Sequence, residues 1–155
     1  MRIKLIAVGT KMPAWVTDGF HDYCKRLPKD FSLELVEIAM APRGKNADIA
    51  KAIRKEGDSM LDAIPANDKV IALEVLGKSY STEQLAEQVV DWRMEGDNVS
   101  LLVGGPDGLD ARCRQRADKL WSLSDLTLPH PIVRVILAEQ LYRAWTLINN
   151  HPYHR

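Results

Sequence analysis

The residues best suited to chemistry in this 155-residue chain fall in four places. Val103-Gly104-Gly105-Pro106-Asp107-Gly108 directly follows an apolar run. Gly104 and Gly105 offer bare backbone that a flat ligand can approach, and Pro106-Asp107-Gly108 is a strong turn signal. The run itself is neither a GxGxxG fingerprint nor a GK[ST] phosphate loop, so it also reads as a plain strand-to-helix turn. Leu123-Ser124-Asp125-Leu126-Thr127-Leu128 alternates polar and apolar residues. Asp125 and the free backbone there suit an adenine or ribose between leucine walls; the other reading is a surface strand with Asp125 in a turn. His130 stands between Pro129 and Pro131. Pro131 disfavours helical geometry before it and suits a first helical turn itself, which puts His130 at the N-cap of a long helix. The positive end of that helix favours a neutral imidazole and can hold an anion, although a simple cap is equally served. The last five residues, His151-Pro152-Tyr153-His154-Arg155, combine a ring that can stack on a base with a guanidinium that can hold a phosphate, or they are a frayed end.

These groups need a scaffold, and hydrophobic patterning supplies one. Arg2–Val8, Ser32–Ala39, Asp68–Val75 and Val99–Val103 read as strands, the last two apolar enough to be buried on both faces. Gly77 is expected to end the third. Trp121–Leu123 reads as a brief further strand. Helical spacing is expected from Pro13 to about Lys25, then from an N-cap at Asn46 through Ile49, Ile53, Met60 and Ile64, with Gly57 weakening or kinking the helix by about 1 kcal/mol. Ser81 and Gln84 match a capping box opening another helix. Leu109–Leu120 reads as a short basic helix, and Pro131 to about Asn149 as a long one. Strands alternating with helices predict an α/β fold, a mostly parallel sheet with helices on both faces, in one domain over 1–155. Ligands in such sheets sit beyond the carboxyl ends of the strands, which points to the loops after Val75, Val103 and Leu123. The long helix is apolar over most of its circumference, so a second copy is expected to cover part of it, in isologous pairing; the other reading is a central helix of the monomer.

Lys and Arg total 21, as do Asp and Glu. A nucleic-acid binder usually carries a basic excess, so any such footprint must be local. Two clusters qualify: Arg43, Lys45, Lys51, Arg54 and Lys55, and then Arg112, Arg114, Arg116 and Lys119, of which Arg112, Arg116 and Lys119 are expected on one helix face. A solvated surface is the commoner meaning of such runs. No stretch approaches the roughly 20 apolar residues of a membrane span, and the start lacks a small-residue cleavage site. Cys24 and Cys113 lack metal-ligand spacing; two thiols in a reducing cytoplasm are expected, with a disulfide the alternative.

MRIKLIAVG, ALEVLGKSYSTEQLA, LLVGGPDGL, LSDLTLPH, LAEQLYRAW and HPYHR follow one another in this order from residue 1 to residue 155, and the likeness they carry covers essentially the whole length. Together they resemble the small ribosomal RNA pseudouridine N3-methyltransferases of the RlmH family, of the SPOUT class. The resemblance implies a C-terminal trefoil knot, a homodimer, and S-adenosylmethionine as methyl donor without a metal. By motif, it implies cofactor contacts at Leu73, Gly104 and Gly105, and at Leu123, Ser124, Asp125, Leu126, Thr127 and Leu128. The implied substrate is a pseudouridine of large-subunit RNA presented by the assembled ribosome. Because N3 must lose a proton before it attacks the methyl, a base or anion-stabilising donor is needed. His130, Tyr153, His154 and Arg155 are the candidates, the tail being supplied by the opposite protomer. Two other readings compete: a SPOUT enzyme acting on transfer RNA, and a non-catalytic ribosome-binding factor. A nucleotide-binding regulatory domain is disfavoured, because phosphate-cradling motifs are missing.

Overall fold

The computed structural model describes residues 1–44 and 48–154. Its layout follows from strand parity, since successive side chains point to opposite faces of a sheet. In β1 (Arg2–Val8), Ile3, Leu5 and Ala7 bury on one face, and Ile6 and Val8 on the other. β4 (Val99–Val103) sends Leu101 and Val103 to the first face and Leu102 to the second. Both strands are therefore interior, which for β4 is what its apolar run predicts. β2 (Ser32–Ile38) and β5 (Lys119–Ser122) take the edges, with β3 (Lys69–Ser79) between β4 and β5. The order is β2-β1-β4-β3-β5 and every pairing is parallel.

Helices cover both faces. On the first lie α1 (Ala14–Cys24), α3 (Thr82–Met94) and α5 (His130–Ile148), contributing Phe20, Leu85, Val89, Trp92, Leu137 and Leu141 to one core cluster. On the second lie α2 (Ile49–Ala63) and α4 (Ala111–Arg116), where Met60 and Cys113 pack with Val8, Val70 and Leu102. Cys24 and Cys113 are thus on opposite sides of the sheet and free, and burial pushes their thiols up to about 12 and about 11. None of the described helices is long and apolar enough to cross a membrane.

Several boundaries differ from the sequence reading, each for a local reason. The expected cap Asn46 lies outside the described residues; α2 is capped by Asp48, whose carboxylate accepts from Lys51 N. Gly57 neither ends nor interrupts α2. A Cβ there would stand 2.2 Å from Asp110 Oδ2, so the glycine admits the residue that caps α4. α4 is shorter than Leu109–Leu120 because Asp118 binds β3, donating N–H to Val70 O at 2.7 Å and accepting from Val70 N at 2.8 Å. That pulls Lys119 off the helix into β5, so the expected common face with Arg112 and Arg116 does not form. β3 does not stop before Gly77. Its register against β5 jumps from Leu73↔Trp121 to Lys78↔Trp121, and residues 74–77 arch outward between those pairs.

Candidate active site

The carboxyl ends of β3, β4 and β5 and the first turn of α5 enclose a cavity of about 530 Å³. That lies within the roughly 300–1,000 Å³ of small-molecule sites. Its position, beyond the ends of neighbouring parallel strands, is where such sheets gather their ligand loops. Leu73, Val103, Leu123, Leu126, Leu128 and Val133 give it apolar walls, while Glu74, Ser124, Thr127 and His130 bring polar groups.

The turn after β4 forms one wall. Gly108 N donates to Gly105 O at 3.1 Å, and Gly108 adopts φ +84°, which favours glycine. The expectation that Gly104 is bare for a ligand needs amendment. A Cβ there would lie 2.6 Å from the Gly108 carbonyl carbon, so the turn itself demands glycine. At Gly105 a Cβ would approach Val8 Cγ1 at 3.0 Å, a demand of the sheet below.

The opposite wall is the segment after β5. It is an irregular loop and not a strand. Ser124 shapes it: Ser122 Oγ donates to Ser124 O at 3.1 Å, and Leu126 N donates to Ser124 Oγ at 3.0 Å. Leu126 is 73% exposed although it lines the cavity, an apolar side chain left open to a ligand or partner. Asp125, expected among the contacts, is exposed and not part of the cavity lining.

His130 is the first helical residue of α5, with Pro129 at the N-cap and Pro131 next, so it does not cap the helix. Its Nδ1 is buried and has no partner among the described residues. Burial, then the Arg134 guanidinium, hold its pKa below the ordinary histidine range, so the ring is neutral at neutral pH. Arg134 is itself buried: Nη2 donates to Gly9 O at 2.7 Å and Nη1 to Glu37 Oε2 at 2.8 Å. It thereby ties the start of α5 to the end of β1 and fixes where His130 stands. Nothing in the sequence around Arg134 singles it out, because its partners Gly9 and Glu37 lie about a hundred or more residues away along the chain.

Tyr153 and His154 are half-buried rather than frayed, in a short 3₁₀ turn spanning Pro152–His154. The Tyr153 ring meets Tyr142 edge-on at 4.7 Å between centroids, and its hydroxyl donates to Glu139 Oε1 at 3.1 Å. Burial, aided by Tyr23 and Glu139, raises its pKa. Glu139 is nine residues beyond His130, roughly 14 Å along the helix axis. Within one chain, then, Leu73, Gly104, Gly105, Leu123, Ser124, Leu126, Thr127, Leu128 and His130 come together, and Tyr153 does not join them. Arg155 lies outside the described residues. Residues missed from sequence include Glu74, Trp121, Pro129 and Val133; Glu74 and Trp121 lie close in sequence to the expected contacts Leu73 and Leu123, and Pro129 and Val133 flank His130 at the start of α5.

Several arginines of the basic clusters are paired internally, and Lys45 lies outside the described residues. Arg43 binds Glu56 and Asp107, Arg112 binds Asp110 and Asp58, and Arg114 binds Glu74. Among the described residues, no group of three or more His, Cys, Asp or Glu is gathered to hold a metal ion.

Comparison with known proteins adds a second line. A family model described as "Predicted SPOUT methyltransferase" matches residues 1–154. The chain is 77% identical over 155 residues to "Ribosomal RNA large subunit methyltransferase H" of Marinomonas sp. (strain MWYL1), covering 100% of both chains. A protein of the same name from Saccharophagus degradans is 61% identical over 155 residues, again covering 100% of both. Among solved structures, a methylase family protein from Neisseria gonorrhoeae superposes with a TM-score of 0.54 at 14% identity, over 90% of this chain and 81% of that one. One from Haemophilus influenzae Rd KW20 gives 0.57 at 11% identity, over 99% and 70%. At such identities the two structures speak to the fold alone.

Proposed function

This chain belongs to the SPOUT methyltransferase family, and on that premise we propose that it methylates large-subunit ribosomal RNA, at N3 of a pseudouridine in the assembled ribosome. The observation that carries the reading is the cavity at the ends of β3, β4 and β5, apolar on its walls and edged by backbone and small polar groups. The residues present fit S-adenosylmethionine. Leu73, Leu123, Leu126 and Leu128 can sandwich a flat heterocycle, and the irregular backbone of 104–105 and 123–128 can hydrogen-bond its edge. When bound, that donor supplies a methyl group already electrophilic on its sulfonium.

What remains for the protein is alignment of nucleophile and methyl, and disposal of the N3 proton. Near-attack contact means about 3–3.5 Å between reacting atoms. His130, held neutral beside the cavity, can accept a hydrogen bond or a proton there. Tyr153, bound to Glu139 roughly 14 Å along α5, is too far away to act in its own chain's cavity. That separation supports a homodimer in which Tyr153, His154 and Arg155 of one protomer hold the RNA over the cavity of the other. The threading of α5 into a trefoil knot, and a cytoplasmic location, belong to the same proposal.

Purified ribosomes, transfer RNA and labelled S-adenosylmethionine test it together, with the modified base then mapped. Label at a pseudouridine N3 of large-subunit RNA is expected. Label on transfer RNA alone, or on neither, contradicts the assignment. Deleting residues 151–155 is expected to abolish transfer while cofactor affinity stays nearly intact.

A further inference from the structure

We propose that Arg43 is a positioning residue for the cofactor cavity: anchored on the buried carboxylate of Glu56, its guanidinium reaches Asp107 and fixes the turn of residues 104–108 that forms one wall. The inference rests on the cofactor reading above. It begins from a charge that burial has to explain. Glu56 is 3% exposed, and a carboxylate left unpaired at such a site is strongly destabilising. Arg43 satisfies it with both ends of its fork: Nη1 donates to Oε2, and Nη2 to Oε1 at 3.0 Å. Ala41 N adds a third bond, to Oε2 at 2.9 Å.

The arginine has a further donor to place. Its Nη1 also donates to Ala41 O at 2.9 Å, and its Nε points away from Glu56 to donate to Asp107 Oδ2 at 2.7 Å. Four of its five N–H groups are thus committed inside the protein. Its side chain is only 13% exposed. A contact with RNA would have to break this arrangement, so its place in a basic cluster of the sequence misleads.

Asp107 sits at the apex of the turn, between Pro106 and Gly108, which both line the cavity. That turn is rich in glycine and has one internal backbone hydrogen bond, from Gly108 to Gly105. Glycine loses more conformational freedom on ordering than other residues, so a ligand that had to order this wall would bind more weakly. The bridge from Asp107 to Arg43 orders it beforehand, and Glu56 keeps Arg43 in place. Lysine cannot reproduce this, because one ammonium cannot span Glu56 bidentately and reach Asp107 as well.

The test compares wild type, Asp107→Ala, Arg43→Lys and the double variant. Cofactor affinity is read by calorimetry, and steady-state constants by methylation of ribosomes. Asp107→Ala leaves the Arg43–Glu56 pair intact and should fold normally. Its Kd and KM for S-adenosylmethionine are expected to rise about threefold to tenfold, on the scale of one charge-assisted hydrogen bond. kcat at saturating cofactor and KM for ribosomes should stay at wild-type values, the split expected of ground-state positioning. The double variant should bind cofactor no more weakly than Arg43→Lys alone, because both changes cut one bridge. Unchanged cofactor KM in both single variants overturns the proposal. So does a rise in ribosome KM in its place, which would make Arg43 an RNA contact. A wild-type chain that takes up no S-adenosylmethionine overturns the cofactor reading, and this inference with it.

Discussion

His130 carries a pH signature that follows from its surroundings. Burial and the neighbouring Arg134 lower its pKa in the fold, so the unfolded chain binds the proton more readily. The sign is then fixed: the histidine's contribution to stability is present above its ordinary value of about 6.5 and is lost as pH falls through the lower value in the fold. His130→Asn should show a smaller drop in melting temperature between pH 7 and 5 than wild type, in parallel thermal scans. Equal drops would mean that the ring is not held neutral. Gly104 offers a second residue-scale test. A Cβ there meets the Gly108 carbonyl carbon at 2.6 Å, so Gly104→Ala must open the turn. Cofactor affinity should fall at least about tenfold by calorimetry, with the melting transition still cooperative, a scale set by misplacing the groups that line a site. At this scale the sequence was only partly legible. The glycines were visible, but the reason for Gly104 lies in Gly108 and for Gly57 in Asp110, contacts that no local pattern contains. Asp125 was conspicuous and stands outside the cavity lining; Arg134 was inconspicuous and joins β1, Glu37 and α5.

Elements were more legible where local chemistry is sufficient. The capping box of α3 is as Ser81 and Gln84 predict: Gln84 N donates to Ser81 Oγ at 3.1 Å, and Ser81 N to Gln84 Oε1 at 2.8 Å. Ser81→Ala should cost about 1 kcal/mol, measured by urea unfolding, with methylation little changed. The interior strands β3 and β4 were equally plain, since their runs are apolar enough for both faces to be buried. Boundaries failed where tertiary contacts decide them. α4 looks long from its residues but gives way when Asp118 binds Val70 in β3. β3 looks as though Gly77 stops it, yet Gly77 allows it to return against β5. A Cβ there would lie 2.7 Å from the backbone of Leu120 and Trp121. The resulting arch of residues 74–77 exposes Leu76 at 95% and brings Glu74 and Val75 to the cavity.

Over the whole molecule, alternation of strands and helices was enough to predict a parallel sheet covered on both faces. The order β2-β1-β4-β3-β5 was not, because it depends on which strands meet and not on what each contains. Periodicity is likewise blind to threading, so a knot can be expected only from family resemblance. The apolar circumference of α5 is accounted for in part within the chain, by α1, α3 and the sheet. The cross-protomer proposal concerns what remains, and mixed dimers test it. At cofactor concentrations well below the Kd of Gly104→Ala, that variant and one lacking residues 151–155 should each show little or no turnover alone. Mixed and allowed to exchange, they should regain up to about a quarter of wild-type turnover, because half the dimers then hold one intact site of two. No recovery despite demonstrated exchange would place the tail's action within its own chain.

The claim on which the rest depends is that the cavity bounded by the ends of β3, β4 and β5 holds an adenosyl methyl donor. Titrating S-adenosylmethionine into the purified protein by calorimetry addresses it without RNA or turnover. Saturable binding is expected, strongly weakened by Gly104→Ala and nearly unaffected by removal of residues 151–155. Absence of measurable binding to the folded wild-type chain, or binding indifferent to Gly104→Ala, would contradict the account.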